Sequence, residues 1–307
     1  MKVIDAYAAG LVCVLLAACA GVSPPPQPGG SGGSPLTTEH SVTTPDGRTR
    51  TYRLVVPSSH ARPAPLLVAL HGGLGSGAQF ARSSGFDALA SANSFIVAYP
   101  DGVGRAPDGS GGVRTWNGGR CCGAAAAHNV DDVAFIRLLV ADVESKYPVD
   151  AHRVYASGHS NGGIMALRLA CEAADLFAGV GVQSATLEIE GCAPRKPVSV
   201  LQIHGSADTN IPIDGGWGSG LAGIAFSPPR QAASTVAAAQ GCTRAPTVTV
   251  PTAHPHQRLS QWKGCAGNAA VNFIEVAGAD HAWMGKSPHP DIDASAAIWS
   301  FLAAHPR

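Results

Sequence analysis

Apolar residues follow two different spacings along the chain, and these spacings predict strands and helices in turn. Residues 66–70 form a continuous apolar run, as in a strand that is buried on both faces of a sheet. Residues 130–146 instead repeat Val133, Ile136 and Val140 at helical spacing, behind acidic residues that suit a helix N-terminus. Strands that alternate with helices in this way predict an α/β fold, with a mainly parallel central sheet covered by helices on both faces.

The other predicted elements continue this alternation. A turn signal at residues 45–47 and the alternating segment behind it predict an opening hairpin. Further strands are predicted at residues 51–56, 95–99, 153–156, 179–182, 198–203 and 271–276. Further helices are predicted at residues 164–174, 230–240 and 292–304. The stretches 101–129 and 208–229 are long and irregular, and long loops at strand ends commonly build active sites.

The N-terminus has the pattern of an export signal. Lys2 precedes an apolar run at residues 6–18, which is too short to span a bilayer but suits the core of a signal peptide. Small residues lead to Cys19 and resemble a bacterial lipobox, in which this cysteine would carry a lipid. Cleavage nearby without a lipid is the alternative. The signal predicts an exported protein, extracellular or periplasmic, with membrane attachment if Cys19 is lipidated.

Three segments are expected along the chain. Residues 1–19 are the predicted signal peptide with its lipobox-like end. Residues 20–36 are rich in Pro, Gly and Ser and predict a tether, because such a composition buries too little apolar surface to fold. Residues 37–307 are the predicted single catalytic domain.

Composition and charge exclude several function classes. Lys and Arg together number 21, as do Asp and Glu, so the formal net charge is zero. A neutral chain without a basic block is a poor ligand for nucleic acid, since phosphate affinity comes mostly from Lys and Arg. An apolar content of 45% excludes disorder throughout the chain.

Six cysteines follow the predicted signal, and an even number in an exported chain suggests disulfides. Two pairs would each close a short local loop: Cys171 with Cys192, and Cys242 with Cys265. The remaining two are adjacent and would form a strained ring if oxidised, or part of a zinc site. No other Cys or His cluster has ligand spacing, so no metal is expected. The adjacent pair is Cys121 and Cys122.

One serine has the surroundings of a nucleophile. Residues 158–162 read Gly-His-Ser-Asn-Gly and fit the pattern Gly-x-Ser-x-Gly, with Ser160 at its centre. Residues 29–33 of the tether also fit, but no predicted strand precedes them. Ser160 follows a predicted strand and precedes a predicted helix, which is the context that a nucleophile elbow requires.

A serine nucleophile needs a base and an acid that orients the base. In an α/β-hydrolase these follow in the chain order Ser, acid, His. His281 comes directly after the last predicted strand and is the expected base. Asp208 follows the predicted strand 198–203 and is the expected acid, with Asp214 as the alternative.

An oxyanion hole requires two N–H donors that face the developing negative charge. The residue after the nucleophile, Asn161, would supply one of them. The other is expected from the glycine-rich loop after the strand 66–70, where Gly73 is the predicted donor and Leu74 the alternative.

Together these motifs resemble those of the secreted poly(3-hydroxybutyrate) depolymerase-like esterases, a group that also contains feruloyl and acetylxylan esterases. The matching segments are residues 70–72, 116–119, 121–123, 129–133, 158–163, 204–208, 214–216 and 281–283. The resemblance implies an α/β-hydrolase fold and a triad of Ser160, Asp208 and His281. It also implies acyl transfer without a metal or organic cofactor.

The resemblance leaves the substrate open. A depolymerase-like ester hydrolase, or a feruloyl or acetylxylan esterase acting on plant polysaccharide esters, would use the same triad on a small or polymeric ester. A serine peptidase and a non-catalytic surface lipoprotein are the remaining alternatives, and no protein partner is predicted. Trp116, Trp217 and Trp283 lie in predicted loops near the site and are candidates to stack on an aromatic acyl group.

Overall fold

The computed structural model describes residues 33–106, 109–220, 222–287 and 289–307. The expected signal peptide, Cys19 and most of the expected tether lie outside the described residues, so these expectations remain predictions. In the described part of the chain, no helix is long and apolar enough to cross a membrane.

Twelve strands are found within the described residues. They are β1 (Leu36–Thr43), β2 (Thr49–Val56), β3 (Ala64–Leu70), β4 (Ile96–Pro100), β5 (Val149–His159), β6 (Gly179–Gln183), β7 (Ser199–Gly205), β8 (Gly216–Trp217), β9 (Ala225–Phe226), β10 (Thr247–Thr249), β11 (Gln257–Trp262) and β12 (Val271–Val276). Ten of them form one sheet in the order β1-β2-β4-β3-β5-β6-β7-β12-β11-β10, and β8 pairs with β9 separately. Neighbouring strands from β4 to β12 in that order are parallel, and the outer pairs are antiparallel.

Helices cover both faces of the sheet. They are α1 (Gly77–Ser84), α2 (Phe86–Asn93), α3 (Gly123–Ala127), α4 (Asp132–Lys146), α5 (Asn161–Glu172), α6 (Pro229–Ala239) and α7 (Ala294–Ala303). Successive side chains of β3 enter two different cores. Leu66, Val68 and Leu70 pack with α4, α5 and α6, whereas Leu67 and Ala69 pack with α1, α2 and α7. This two-sided burial explains why β3 is apolar at every position.

The predicted fold class is confirmed: the structure has a mostly parallel sheet between two layers of helices. Each predicted strand and helix overlaps an observed one. The sequence patterns did not predict α1 and α2, which are only eight residues long. They also missed β10 and β11, because strands at an exposed sheet edge need no continuous apolar run. The two irregular stretches contain the short elements α3, β8 and β9.

Three disulfides join the six cysteines that follow the predicted signal. The S–S distance is 2.02 Å between Cys171 and Cys192, and 1.98 Å between Cys242 and Cys265. Both pairings are the ones expected from their short loops. The adjacent cysteines, which the sequence left open between a disulfide and a zinc site, are joined to each other.

We expect the double substitution Cys171→Ala and Cys192→Ala to lower the free energy of unfolding by about 3 kcal/mol. The pair is 21 residues apart, and opening a loop of that length gives the unfolded chain roughly this much conformational freedom. Urea unfolding of the purified domain measures the loss. Removing Cys242 and Cys265, which are 23 residues apart, is the matched control and should cost about as much. Unchanged unfolding midpoints would contradict a structural role for these bonds.

Candidate active site

Ser160 lies in a sharp turn between β5 and α5. Its backbone has φ 53° and ψ −123°, a conformation that is rare for a residue with a side chain and that is found at functional turns. A Cβ atom on Gly158 would lie 2.3 Å from the carbonyl oxygen of Gly162, and one on Gly162 would lie 2.3 Å from that of His71. The flanking glycines of the motif are therefore required for the chain to turn this tightly.

The structure brings the three residues of the predicted triad together at the carboxyl edge of the parallel strands. His281 Nε2 is 2.8 Å from Ser160 Oγ, and His281 Nδ1 is 2.8 Å from Oδ2 of Asp208. Ser160 and His281 are 121 positions apart in the sequence, and Asp208 and His281 are 73 positions apart. They come together because the strands that precede them, β5, β7 and β12, end at the same edge of the sheet. A serine, an imidazole and a carboxylate in this order can activate the hydroxyl as a nucleophile.

Asp208 is held by the turn that it begins. Its Oδ1 accepts the N–H groups of Asn210 and Ile211, each at 2.9 Å, and His281 Nδ1 lies 2.8 Å from Oδ2 and 3.0 Å from Oδ1. Burial alone would raise the pKa of Asp208, but the hydrogen bond from His281 and the N–H of Ile211 outweigh it and the pKa is lowered. The carboxylate is therefore charged at neutral pH and fixes the imidazole proton on Nδ1.

Asp214, the alternative acid, lies elsewhere. Its side chain is 83% exposed and forms an ion pair with Arg230, which also binds Glu275. The geometry therefore favours Asp208 over Asp214 as the partner of His281.

The glycine-rich loop after β3 lies against the nucleophile turn. A Cβ atom on Gly72 would lie 3.5 Å from that of Ser160, and one on Gly73 would lie 3.6 Å from that of Asn161. The N–H of Leu74 donates to the carbonyl of Arg114 at 2.9 Å and is thus occupied. Within the described residues, the N–H groups of Gly73 and Asn161 have no such acceptor, and they remain the proposed pair of oxyanion donors.

The side chain of Asn161 joins the nucleophile turn to Trp116. Its Oδ1 accepts the Trp116 N–H at 2.8 Å and its Nδ2 donates to the Trp116 carbonyl at 2.9 Å. The indole N–H of Trp116 donates to the carbonyl of His71, next to the glycine loop, also at 2.9 Å. Trp116 therefore links the two segments that carry the proposed oxyanion donors.

The three tryptophans that were candidates to stack on an aromatic acyl group do not lie on the described wall of the cavity at Ser160, which corrects that expectation. Trp116 is fully buried, and its ring stacks on that of Phe135. Trp217 is 74% exposed, outside the cavity. The ring of Trp283 packs against Phe80 and His159 instead.

A cavity of about 280 Å³ opens beside Ser160 and His281. It lies between the glycine loop, the segment around α3 and the ribbon formed by β8 and β9. The two long irregular stretches of the sequence thus build its walls, as predicted from their length. Apolar groups dominate the described wall, among them Leu74, Cys122, Ala124, Ile164 and Phe226.

Three buried histidines near the site stay neutral. Burial lowers the pKa of His71 and of His159 to about 4, and it also lowers the pKa of His204. His71 Nε2 accepts the N–H of Gly102, so its proton lies on Nδ1 and binds the carbonyl of Gly72. A second proton on the His71 ring, at Nε2, would break the hydrogen bond from the Gly102 N–H.

We expect the fold to lose stability as the pH falls from about 6.5 to 4. In this range the unfolded chain protonates His71 and His159 near pH 6.5, whereas in the folded chain both rings stay neutral down to about pH 4. Between pH 7 and pH 5 each such histidine costs about 2 kcal/mol, which urea unfolding at the two pH values measures. His159→Gln removes one of them and should reduce the difference by about that amount. Equal stability at both pH values would show that the rings titrate normally.

Sequence patterns missed four polar side chains that support the site: His159, Gln183, His204 and the amide of Asn161. Gln183 ends the apolar strand β6, and His204 lies in β7, so a polar residue at the end of a buried strand was the available signal. His204 donates from Nε2 to the carbonyl of Ile211 at 2.8 Å, which steadies the turn that holds Asp208.

The fold and this arrangement define an α/β-hydrolase. Residues 50–215 match the family described as "Esterase PHB depolymerase", and the chain belongs to this family. It is therefore a carboxylic ester hydrolase, as the motifs of its sequence indicated.

Relatives and solved structures agree with this assignment. The chain is 33% identical over 310 residues to NocK, a candidate esterase of Nocardia uniformis subsp. tsuyamanensis, with 89% of this chain and 88% of that one covered. It is 30% identical over 228 residues to feruloyl esterase B of Piromyces equi, a match that covers 72% of this chain but 40% of that protein. The acetyl xylan esterase of Aspergillus awamori has the same fold, with a TM-score of 0.60 at 18% identity, over 86% of this chain and 98% of the other.

Proposed function

We propose that this protein is an exported serine esterase that cleaves carboxylic esters through an acyl-enzyme on Ser160. The observation that carries the proposal is the continuous hydrogen-bonded chain from Asp208 through His281 to Ser160 Oγ, beside an open cavity. A serine that only preceded a helix as its N-cap would need neither an imidazole nor a buried carboxylate in hydrogen-bond contact with it.

The first half of the reaction acylates the enzyme. His281 Nε2 takes the proton of Ser160 as Oγ attacks the ester carbonyl, and the resulting oxyanion accepts the N–H groups of Gly73 and Asn161. Such donors are worth about 2.7–4 kcal/mol each, because they strengthen as the charge develops. His281 then gives its proton to the departing alcohol.

The second half returns the enzyme to its starting state. Water enters the cavity, His281 Nε2 takes a proton from it, and the resulting hydroxide attacks the acyl carbon, whose oxyanion again accepts the N–H groups of Gly73 and Asn161. The bond between the acyl carbon and Ser160 Oγ then breaks, His281 returns its proton to Oγ, and the carboxylic acid leaves. Asp208 keeps its negative charge throughout and stabilises the imidazolium at each stage.

The cavity favours apolar acyl groups of moderate size. The side chains of Ile164 and Phe226 suit hydrocarbon or aromatic groups, and the described wall carries no carboxylate but includes the cation Arg105. A short 3-hydroxyacyl ester, as in polyhydroxybutyrate, fits this description, and the family match supports it. A feruloyl ester is the second candidate, supported by the phenyl ring of Phe226 on the described wall and by similarity to the Piromyces feruloyl esterase.

Export accounts for the cysteine chemistry. Disulfides persist in oxidising compartments, and all three lie in the folded part of the chain. We propose a signal at residues 1–19, a tether at 20–36 and one catalytic domain at 37–307, with membrane attachment through Cys19. Inhibition of prolipoprotein processing should then leave the precursor uncleaved; normal maturation would refute the lipid.

Hydrolysis rates on a small ester panel test the proposed activity. The panel contains p-nitrophenyl acetate and butyrate, methyl ferulate, and short 3-hydroxybutyrate oligomers. We expect turnover of the p-nitrophenyl esters, and the preference between the last two assigns the substrate class. No turnover of any member by the folded, disulfide-bonded domain would overturn the esterase mechanism proposed here.

A further inference from the structure

The segment that carries His281 has little regular structure to hold it. It lies between β12, which ends at Val276, and α7, which begins at Ala294. In the described chain, the carbonyl groups of His281 and Ala282 accept no backbone N–H. The imidazole nevertheless has to reach Ser160 on one side and Asp208 on the other, each at 2.8 Å.

His159 binds this segment from the strand that carries the nucleophile. Its Nε2 donates to the carbonyl oxygen of His281 at 2.7 Å. The centroids of the two imidazole rings lie 5.0 Å apart, and the ring of Trp283 meets that of His159 in a T-shaped contact at 5.8 Å. His159 is thus adjacent to Ser160 in the chain and bonded to the backbone of the base.

Gln183 binds the same segment from the next strand of the sheet. Its Nε2 donates to the carbonyl of Ala282 at 2.6 Å, and its Oε1 accepts the N–H of Met284 at 2.9 Å. The side chain is fully buried. Its own backbone carbonyl accepts the N–H of Ser160 at 3.1 Å, so one residue contacts both the nucleophile turn and the base segment.

We propose that His159 and Gln183 are positioning residues that clamp the base segment, so that the His281 imidazole stays aligned between Ser160 and Asp208. Both lie at the ends of neighbouring parallel strands, β5 and β6, which the core holds rigidly. Together they bind two successive carbonyls and one N–H of an otherwise irregular segment. A displacement of the base by about 1 Å can cost about 10²-fold in rate, so such a clamp has a direct catalytic consequence.

The charge state of His159 suits this role. Burial and the neighbouring His281 lower the pKa of His159 to about 4, so the ring is neutral at neutral pH. It can donate from Nε2 without placing a second positive charge beside His281, which becomes positive during the reaction. A permanently charged donor at this position would oppose that step.

Three variants separate the clamp from simple packing. His159→Phe keeps a ring but removes the donor, His159→Gln keeps an N–H at a similar reach, and Gln183→Met keeps length without polar groups. We expect kcat on p-nitrophenyl acetate to fall by about 10–100-fold in the first and third, with KM changed by less than about threefold. His159→Gln should recover to within about fivefold of the parent enzyme.

The decisive experiment compares the His281→Ala variant with the double variant that carries His159→Phe and His281→Ala. A residue that acts only through His281 has nothing left to position, so the residual rate should change by less than about twofold. Circular dichroism and thermal unfolding show whether the compared variants are folded. If His159→Phe does not fold, the same comparison is made with Gln183→Met. Folded variants with unchanged kcat, or an equal loss in both backgrounds, would overturn the clamp.

The clamp rests on the proposed serine mechanism, and the two can fail separately. An unmodified enzyme without ester turnover would refute the mechanism itself. An active parent enzyme whose folded His159→Phe and Gln183→Met variants keep full activity would refute only the clamp.

Discussion

Replacement of Ser160 by alanine is expected to lower kcat on p-nitrophenyl esters by about 10⁴–10⁶-fold, with little change in stability. Alanine removes the only atom that forms the bond to the acyl group, while the oxyanion donors and the cavity remain and give a small residual rate. The folded protein should retain the turn, because Ser160 Oγ bonds only to His281 in the described structure. Steady-state kinetics of the purified variant measure the loss.

Ser157 provides the matched control for this substitution. It lies three residues earlier on β5, is fully buried, and its hydroxyl has no hydrogen-bond partner in the described structure. Ser157→Ala should therefore leave kcat within about twofold. Equal rates for the Ser160→Ala variant and the parent enzyme would reject Ser160 as the nucleophile.

Replacement of Asp208 by asparagine is expected to lower kcat by about 10⁴-fold without disturbing the fold. The amide oxygen can still accept the N–H groups of Asn210 and Ile211 from the Oδ1 position, which places the amide NH₂ at the Oδ2 position, 2.8 Å from His281 Nδ1. His281 Nδ1 then has to accept, its proton moves to Nε2, and the imidazole can no longer take the proton of Ser160. The rate falls because the imidazole has the wrong tautomer, and not because the contact between residues 208 and 281 is lost.

Asp214→Asn is the control for charge removal at a neighbouring acid. Its side chain is exposed and pairs with Arg230, away from the imidazole, so kcat should stay within about twofold. If the Asp214 variant lost the larger share of activity, the assignment of the acid would have to be reversed.

The nucleophile turn could be predicted from the sequence because its determinants are local. The strand, the two glycines, Ser160 and the following helix lie within about twenty-five consecutive residues, and each has a recognisable pattern. The same holds for the fold class, since fully apolar strands such as β3 indicate a sheet covered on both faces.

The supporting contacts could not be predicted in this way. His159 and Gln183 bind carbonyls 122 and 99 positions away, and no local pattern encodes such a contact. For the tryptophans, position in a loop suggested contacts with the substrate that the structure does not show. Trp116 lies in a loop near the site, but its indole N–H binds the carbonyl of His71 and its ring packs in the core, which loop position alone does not reveal.

Covalent labelling tests the central claim most directly. Diethyl p-nitrophenyl phosphate phosphorylates a serine only where a neighbouring base removes the hydroxyl proton, as His281 would for Ser160. The account predicts one diethylphosphoryl group, on the peptide that contains Ser160, with activity lost in proportion and no label on Ser160→Ala. A label on another residue, or complete labelling of Ser160 with ester hydrolysis intact, would contradict it.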